Sequence, residues 1–254
     1  MPHKEEDLDF TPDTYPSFPL DNPDFPTVKL ETISLKKLEA DDPAEKARAF
    51  EAFKTRGFVY LELAGTENGE TLVKGADEVG KAAARTFALS TEEKEKYRPK
   101  NRELFGYVVT VSHPIPFFGE KEPAPTDDAD DVLHSYKMVG ATNADKSGTP
   151  DTAEFFNISK NDMIVEDAQM ARSWPPVVLE HKPLFASYSR AAHGTGLLIL
   201  DMLADKLGID REDVRKRHRI EDLAGDHIRM TRGPPRKTAE MPEIQTPSHT
   251  DFGT

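Results

Sequence analysis

The sequence predicts an α+β fold, in which a region of mixed helices and strands is followed by a long helix and then by a further strand. Three patterns indicate this class. A strand–helix–strand pattern opens the fold at residues 28–63, an amphipathic helix covers about residues 179–207, and a further strand follows at residues 227–231. The length of 254 residues suits one large or two small domains.

The composition is typical of a globular protein with an acidic surface. Hydrophobic residues make up 37%, and 33 Lys and Arg oppose 46 Asp and Glu, for a formal net charge of −13. Such a surface repels phosphate backbones, and no basic stripe offsets it, so nucleic acid is not an expected partner. The absence of cysteine excludes disulfides, thiolate metal sites and a cysteine nucleophile.

No membrane contact is expected from the sequence. The acidic start of the chain has no apolar signal segment. The most apolar stretch, residues 197–203, is too short to cross a bilayer. These features predict a cytoplasmic protein, and the sequence predicts no particular oligomeric state.

Residues 1–26 are predicted to form a proline-rich N-terminal arm. Prolines remove backbone donors and fix φ, while aromatic side chains between them offer apolar anchors. The arm is therefore expected either to be disordered or to lie across a neighbouring surface. Five of its prolines lie in its second half and just before it, namely Pro12, Pro16, Pro19, Pro23 and Pro26.

The first elements follow directly after the arm. Alternating apolar residues at 28–35 predict a short strand. Asp41 or Asp42 is then placed to cap a helix that starts at Pro43 and ends at Gly57. The stripe that this helix is expected to bury consists of Ala47, Phe50 and Phe53. A second strand is predicted at residues 58–63.

The middle of the chain is patterned less evenly. A helix is predicted over about residues 70–87, and Ser90 begins a capping box for a short helix to about Tyr97. Residues 105–111 indicate a strand. Prolines and an acidic run at 127–131 predict that residues 112–152 form a long loop, with the acidic run as a solvated surface.

The long helix is predicted to be a core element. One continuous face repeats at steps of four and three residues. Gly208 is placed to end the helix, while Gly194 and Gly196 weaken its middle and suggest a close neighbour. His193 lies off this face and is expected to serve at the surface or in packing. The face consists of Leu184, Tyr188, Ala191, Thr195, Leu198 and Met202.

A candidate metal-binding pair lies near the end of the chain. In a strand, residues two apart face the same side, so His249 and Asp251 would project together. An imidazole and a carboxylate in this arrangement can occupy adjacent positions on iron(II), within a two-histidine, one-carboxylate triad. About 1.4 His-x-acid matches are expected by chance in this composition, and His3-Lys4-Glu5 is a second one. Spacing alone therefore does not establish the site.

Several stretches, taken in order, resemble the isopenicillin N synthase-like branch of the iron(II)- and 2-oxoglutarate-dependent dioxygenases. They include a helix–glycine–strand signature, a glycine–tyrosine strand, a Trp-Pro-Pro segment before the long helix, and a terminal His-x-Asp segment. The resemblance covers about residues 27–254. The matching stretches are residues 53–61, 87–97, 105–107, 174–176, 203–208 and 247–254.

This resemblance implies a set of site residues and cofactors. His249 and Asp251 would ligate iron(II), 2-oxoglutarate would be the cosubstrate, and a small organic molecule and O2 would be the reactants. In the family the second iron histidine and the arginine that pairs with 2-oxoglutarate lie further downstream. This chain ends three residues after Asp251, so neither comes from it.

One segment departs from the family pattern. Many relatives place a tyrosine before the Pro-Pro pair, where it can contact 2-oxoglutarate, but this chain has Gly233 there. Use of 2-oxoglutarate is thus open, and an oxidase without this cosubstrate is conceivable. Arg229 and Arg232 are candidates for binding an anion such as the cosubstrate, and the alternative is that both are charges on a strand surface.

The resemblance also implies an architecture and two functions. Residues 27–225 would form the N-terminal region of the dioxygenase, and residues 226–254 the start of a double-stranded β-helix, or jelly roll, that is cut short. The implied function is an oxidoreductase that hydroxylates, desaturates or cyclises its substrate. The alternative is a truncated, catalytically inactive member or a binding protein.

Overall fold

The structure is a computed structural model that describes residues 28–98, 136–141 and 148–233. The predicted N-terminal arm, the predicted strand at 105–111 and the acidic run at 127–131 lie outside these residues. The described part mixes helices with two small sheets, which confirms the α+β class. No closed barrel is present among the described residues, and the jelly roll stays a prediction.

The chain forms two compact units, each assembled from two separate segments. The first combines the described residues of Met1–Lys81 with Pro183–Leu223, and the second combines those of Ala82–Lys182 with Ala224–Thr254. The elements run in the order β1 (Thr32–Ser34), α1 (Leu35–Glu39), α2 (Pro43–Arg56), β2 (Tyr60–Glu62), α3 (Glu67–Ala88), α4 (Thr91–Glu95), β3 (Tyr136–Lys137), β4 (Glu154–Ser159), α5 (Lys160–Ile164), α6 (Pro176–Glu180), α7 (Lys182–Leu207), α8 (Arg211–Arg215) and β5 (His227–Arg232).

The first unit opens with the predicted strand–helix–strand arrangement. β1 and β2 pair in parallel, with Ile33 opposite Leu61. Both strands are shorter than predicted, and β1 ends directly before Leu35, which begins α1. The core around them consists of Ile33, Leu38, Ala49 and Met202, with Phe50, Phe53, Val59, Leu61, Leu198, Ile199 and Leu203 packed against it.

Helix α2 begins and ends where the sequence predicts. The Asp42 carboxylate accepts hydrogen bonds from the amides of Ala44 (2.9 Å) and Glu45 (3.0 Å), and Gly57 ends the helix at φ 73°. The predicted buried stripe is wrong at Ala47, which is exposed. Glu45 lies on the buried face and its Oε1 accepts from the Ser34 amide at 2.6 Å, a contact that an apolar pattern does not reveal.

Helix α7 is a core element, as predicted. On its predicted face Ala191, Thr195 and Met202 are buried. The helix starts at Lys182, not near residue 179, because the ring of Pro183 is incompatible with a helix that continues through residue 179. Gly208, at φ 69°, ends it as predicted.

The two glycines in the middle of α7 differ in their surroundings. A Cβ on Gly194 would lie 2.6 Å from Asn68 Nδ2, which confirms the predicted close neighbour. A Cβ on Gly196 would meet no atom within 4 Å, so the same prediction is wrong there. His193 has a packing role, as its Nε2 donates to the backbone oxygen of His218 at 2.6 Å.

Gly69, in the first turn of α3, is required by close backbone packing. A Cβ on Gly69 would lie 1.9 Å from the Leu63 carbonyl oxygen and 2.6 Å from Thr66 Oγ1. We expect Gly69→Ala to lower the free energy of unfolding by about 1–3 kcal/mol, because the backbone must shift. Urea unfolding measures the change. Gly196→Ala is the matched control and should be neutral or raise stability by up to about 1 kcal/mol; equal effects of the two substitutions would contradict the packing argument.

The second unit contains a three-stranded antiparallel sheet in the order β3–β4–β5. Tyr136 pairs with Phe156, and Phe156 pairs with Met230, so β4 is the central strand. The prediction of an uninterrupted loop over residues 112–152 is therefore wrong at Tyr136–Lys137. β4 has no counterpart in the sequence predictions, whereas β5 confirms the strand predicted at 227–231.

The core of the second unit forms on one face of this sheet. Phe156 is fully buried there, and its ring centroid lies 4.8 Å from that of Tyr136 and 6.0 Å from that of Phe87. Helix α4, which supplies Lys94 to this core, is capped as predicted: Ser90 Oγ accepts from the Glu93 amide at 3.1 Å. Among the described residues, no helix is both long and apolar enough to span a membrane.

Candidate functional site

The two candidate anion-binding arginines project from opposite faces of the β3–β4–β5 sheet. Side chains alternate between faces along a strand, so residues three apart cannot share one. The register places Arg232 opposite Glu154 and Arg229 opposite Asn157. The two arginines therefore belong to different environments and cannot form one anion-binding pair on a single face.

Arg232 contacts a buried carboxylate on the core face. Glu154 is 1% exposed, and its Oε2 accepts from Lys94 Nζ at 2.8 Å and from the Tyr136 hydroxyl at 2.6 Å. Its Oε1 forms an ion pair with Arg232 Nη2. Nη1 of Arg232 also donates to the Phe87 carbonyl at 3.3 Å.

The Glu154 cluster, defined as Glu154 with Lys94, Tyr136 and Arg232, joins α4 to all three strands. Burial raises the pKa of the Tyr136 hydroxyl well above its usual value, and the hydrogen bond to Glu154 adds to this effect. Tyr136 is therefore a neutral donor at physiological pH. The polar groups of the cluster bond to one another, which favours a structural role over chemistry on a substrate.

Arg229 lies on the opposite face, beside an aromatic ring. Its Nε donates to Asn157 Oδ1 at 2.9 Å, and its guanidinium carbon lies 4.7 Å from the centroid of the Phe155 ring. Lys137 Nζ lies 5.7 Å from the same centroid. Lys137 is paired with Asp151, however, whereas no described carboxylate pairs with Arg229. Partial burial lowers the pKa of the Arg229 guanidinium.

A second buried carboxylate orders the segment that leads into α6. Asp162 is 1% exposed and accepts from the Ala171 amide (2.9 Å), from Arg172 Nη1 (3.3 Å) and from the Trp174 indole nitrogen (2.9 Å). Pro175 then precedes α6, and Pro176 occupies its first turn. Asp162 thus holds the Trp-Pro-Pro segment in place.

The first unit contains an open cavity of about 540 Å³ beside α7. Two pairs of polar residues that line it are bonded to each other. Arg215 Nε donates to Asp201 Oδ1 at 2.9 Å, and His193 donates to the His218 carbonyl. We therefore do not assign the cavity as the functional site.

The predicted iron ligands lie outside the described residues, so the structure gives no geometry for His249 and Asp251. Within residues 28–98, 136–141 and 148–233, no group of three or more histidine, aspartate or glutamate side chains could hold a metal ion. Gly233 follows directly after β5 and is exposed. The metal assignment is therefore a prediction from sequence.

Sequence reasoning missed Glu154, Lys94 and Asp162 as buried charges. Glu154 lies 60 residues from Lys94 along the chain, whereas the partners of Asp162 lie 9 to 12 residues after it. The available signal was the occurrence of Glu154 at the edge of the apolar pair Phe155 and Phe156. Charged residues are seldom buried unless they are paired, so such a position invites a search for a partner.

The chain is distantly similar to two curated proteins named 2-oxoglutarate-dependent dioxygenase. It is 26% identical to one from Aspergillus fumigatus over 228 residues, which are 89% of this chain and 51% of that protein. It is 24% identical to one from Gibberella zeae over 242 residues, which are 95% of this chain and 62% of that protein. This chain thus spans about half to three fifths of the length of these relatives. No protein-family model matches it. The similarity supports a place in the dioxygenase superfamily.

Proposed function

We propose that the chain belongs to an iron(II)- and 2-oxoglutarate-dependent dioxygenase of the isopenicillin N synthase-like branch. Such an enzyme would use O2 to hydroxylate, desaturate or cyclise a small organic molecule. The observation that carries this proposal is the similarity to two proteins named 2-oxoglutarate-dependent dioxygenase, which extends over 89% and 95% of the chain. The ordered motifs and the His249-Thr250-Asp251 segment support the same function.

The donor types at His249 and Asp251 fit iron(II). One imidazole and one carboxylate are two of the three protein ligands of a facial triad, and such a site leaves positions open for cosubstrate and oxygen. When bound, iron would supply the oxygen chemistry. His249 and Asp251 would hold the metal, and the second histidine and the 2-oxoglutarate arginine would come from a segment after Thr254.

The iron assignment makes a direct prediction. Anaerobic iron(II) titration of the chain should show that His249→Ala and Asp251→Ala each weaken binding by about tenfold or more. Loss of groups that merely support metal ligands already costs about 10–100-fold, so loss of a ligand should cost at least as much.

The chain offers a matched control for this titration. His3 and Glu5 form the other His-x-acid match, so His3→Ala and Glu5→Ala remove the same chemical groups. These control variants should bind iron like the unaltered chain. The assignment fails if the His249 and Asp251 variants also bind iron unchanged.

A catalytically inactive member or a binding protein is the second candidate. It is motivated by Gly233, which stands where many relatives place a tyrosine that can contact 2-oxoglutarate. Sequencing the transcript past the Thr254 codon separates the candidates. A reading frame that continues into a histidine and an Arg-x-Ser segment favours the enzyme, and a stop codon favours the inactive member. For an active enzyme, succinate formed in step with turnover distinguishes a 2-oxoglutarate-dependent reaction from an oxidase.

A further inference from the structure

The outer face of the β3–β4–β5 sheet, on the side opposite Phe156, carries polar groups at positions normally filled by apolar ones. We define this outer face by Lys137, Phe155, Asn157, Ser159 and Arg229, which the strand register places on one side. Lys137 and Asn157 are 2% and 3% exposed, and Ser159 is fully buried. Ser159 Oγ has no hydrogen-bond partner in the described part of the chain.

Arg229 is held in place on this face. The hydrogen bond from Nε to Asn157 and the Phe155 ring restrict the guanidinium on two sides. The terminal nitrogens Nη1 and Nη2 make no contact with a carboxylate of the described residues. A guanidinium restricted in this way has already lost part of its side-chain entropy, so binding a partner costs less.

Unlike the neighbouring cations, Arg229 has no acidic partner among the described residues. Lys137 lies over the same ring but is paired with Asp151, and Arg232 on the same strand is paired with Glu154. Partial burial lowers the pKa of Arg229, and no described acid opposes this effect. In a protein of formal net charge −13, such a cation is available for an external anion.

We infer that Arg229 binds the carboxylate of a small organic molecule at the outer face of this sheet. The planar fork of a guanidinium matches a carboxylate through two parallel hydrogen bonds. The Phe155 ring beside it offers an apolar surface for the carbon skeleton of the ligand. This inference relies on the proposed function only for the source of the carboxylate, which is 2-oxoglutarate or the substrate.

The test is a calorimetric titration of the metal-free chain with 2-oxoglutarate and, separately, with benzoate. Arg229→Gln should weaken binding by about tenfold or more. Arg229→Lys keeps the charge without the planar fork and should cost about threefold. Arg56→Gln removes the same charge from an exposed position on α2 and should leave affinity unchanged. If Arg229→Lys unfolds at the same temperature as the unaltered chain, its weaker binding reflects lost recognition of the ligand and not lost folding.

Each outcome decides the inference. Binding of 2-oxoglutarate that depends on Arg229 assigns the cosubstrate, and dependence seen with benzoate alone assigns a substrate carboxylate. The inference is overturned if neither ligand binds up to millimolar concentration. It is also overturned if Arg229→Gln binds the ligands with the same affinity as the unaltered chain. Because the titration contains no iron, it is independent of the His249 and Asp251 result, and either proposal can fail alone.

Discussion

Replacing Glu154 by alanine is expected to lower the free energy of unfolding by about 3–5 kcal/mol. The substitution leaves Lys94, which is 3% exposed, without its buried counter-charge and removes the acceptor of the Tyr136 hydroxyl. A buried charge that loses its partner keeps its desolvation cost and gains nothing in return. Urea unfolding followed by far-UV circular dichroism measures the change.

Two further substitutions define what the Glu154 result means. Glu51→Ala removes an exposed carboxylate that lies 3.6 Å from Lys54 in α2, and it should change stability by less than about 0.5 kcal/mol. Glu154→Gln keeps a hydrogen-bond acceptor without the charge and should lie between the two. A Glu154→Ala protein as stable as Glu51→Ala would show that the cluster is not a stabilising contact.

The second large effect is expected for Asp162→Ala, at about 3 kcal/mol of lost stability. The carboxylate accepts from three donors, and each buried donor left without an acceptor costs about 1–3 kcal/mol. Trp174 is the only tryptophan in the chain, so its fluorescence reports this site alone. We expect the emission of Trp174 to shift and the urea midpoint to fall together.

Asp167 provides a control within the same unit. Its side chain is 82% exposed, and it pairs with Lys182 at 2.6 Å. Asp167→Ala should cost between 0 and about 1 kcal/mol and leave the Trp174 emission unchanged. The proposed role of Asp162 is refuted if Asp162→Ala retains both the native emission and the native midpoint.

The elements that could be predicted from the sequence are those with local signals. The limits of α2 follow from Asp42, Pro43 and Gly57, which lie within or next to the helix that they delimit. The end of α7 follows from Gly208 for the same reason. Capping and helix termination depend on neighbours within a few residues, so one stretch of sequence contains the information.

Apolar–polar alternation in β4 is limited to the four residues 156–159, because Glu154 places a charge on the apolar face and Phe155 places a ring on the polar one. The periodic signal of a half-buried strand is therefore weak here. The partners that make its polar residues tolerable, such as Lys94 and Arg229, lie 60 and 72 residues away. Burial of a charge is a property of the tertiary structure, and no local pattern contains it.

The candidate site was only partly predictable for a related reason. The sequence identified Arg229 and Arg232 as possible anion ligands, but their different roles depend on which residue of β4 each one faces. His249 and Asp251 were predicted as iron ligands from a short motif and from the family resemblance, and they lie outside the described residues. Only the strand register shows that the two arginines lie on opposite faces of the sheet.

The odd spacing of these arginines has a consequence for how β5 finds its alignment. A shift of β5 by one position along β4 would still leave one guanidinium on each side of the sheet, but it would move Arg232 away from the face of Glu154 and break their ion pair. The same shift would expel Ile228 and Met230 from the interior and bring Thr231 in. Correct alignment of β5 thus depends on one ionic contact and two apolar side chains that oppose the same error.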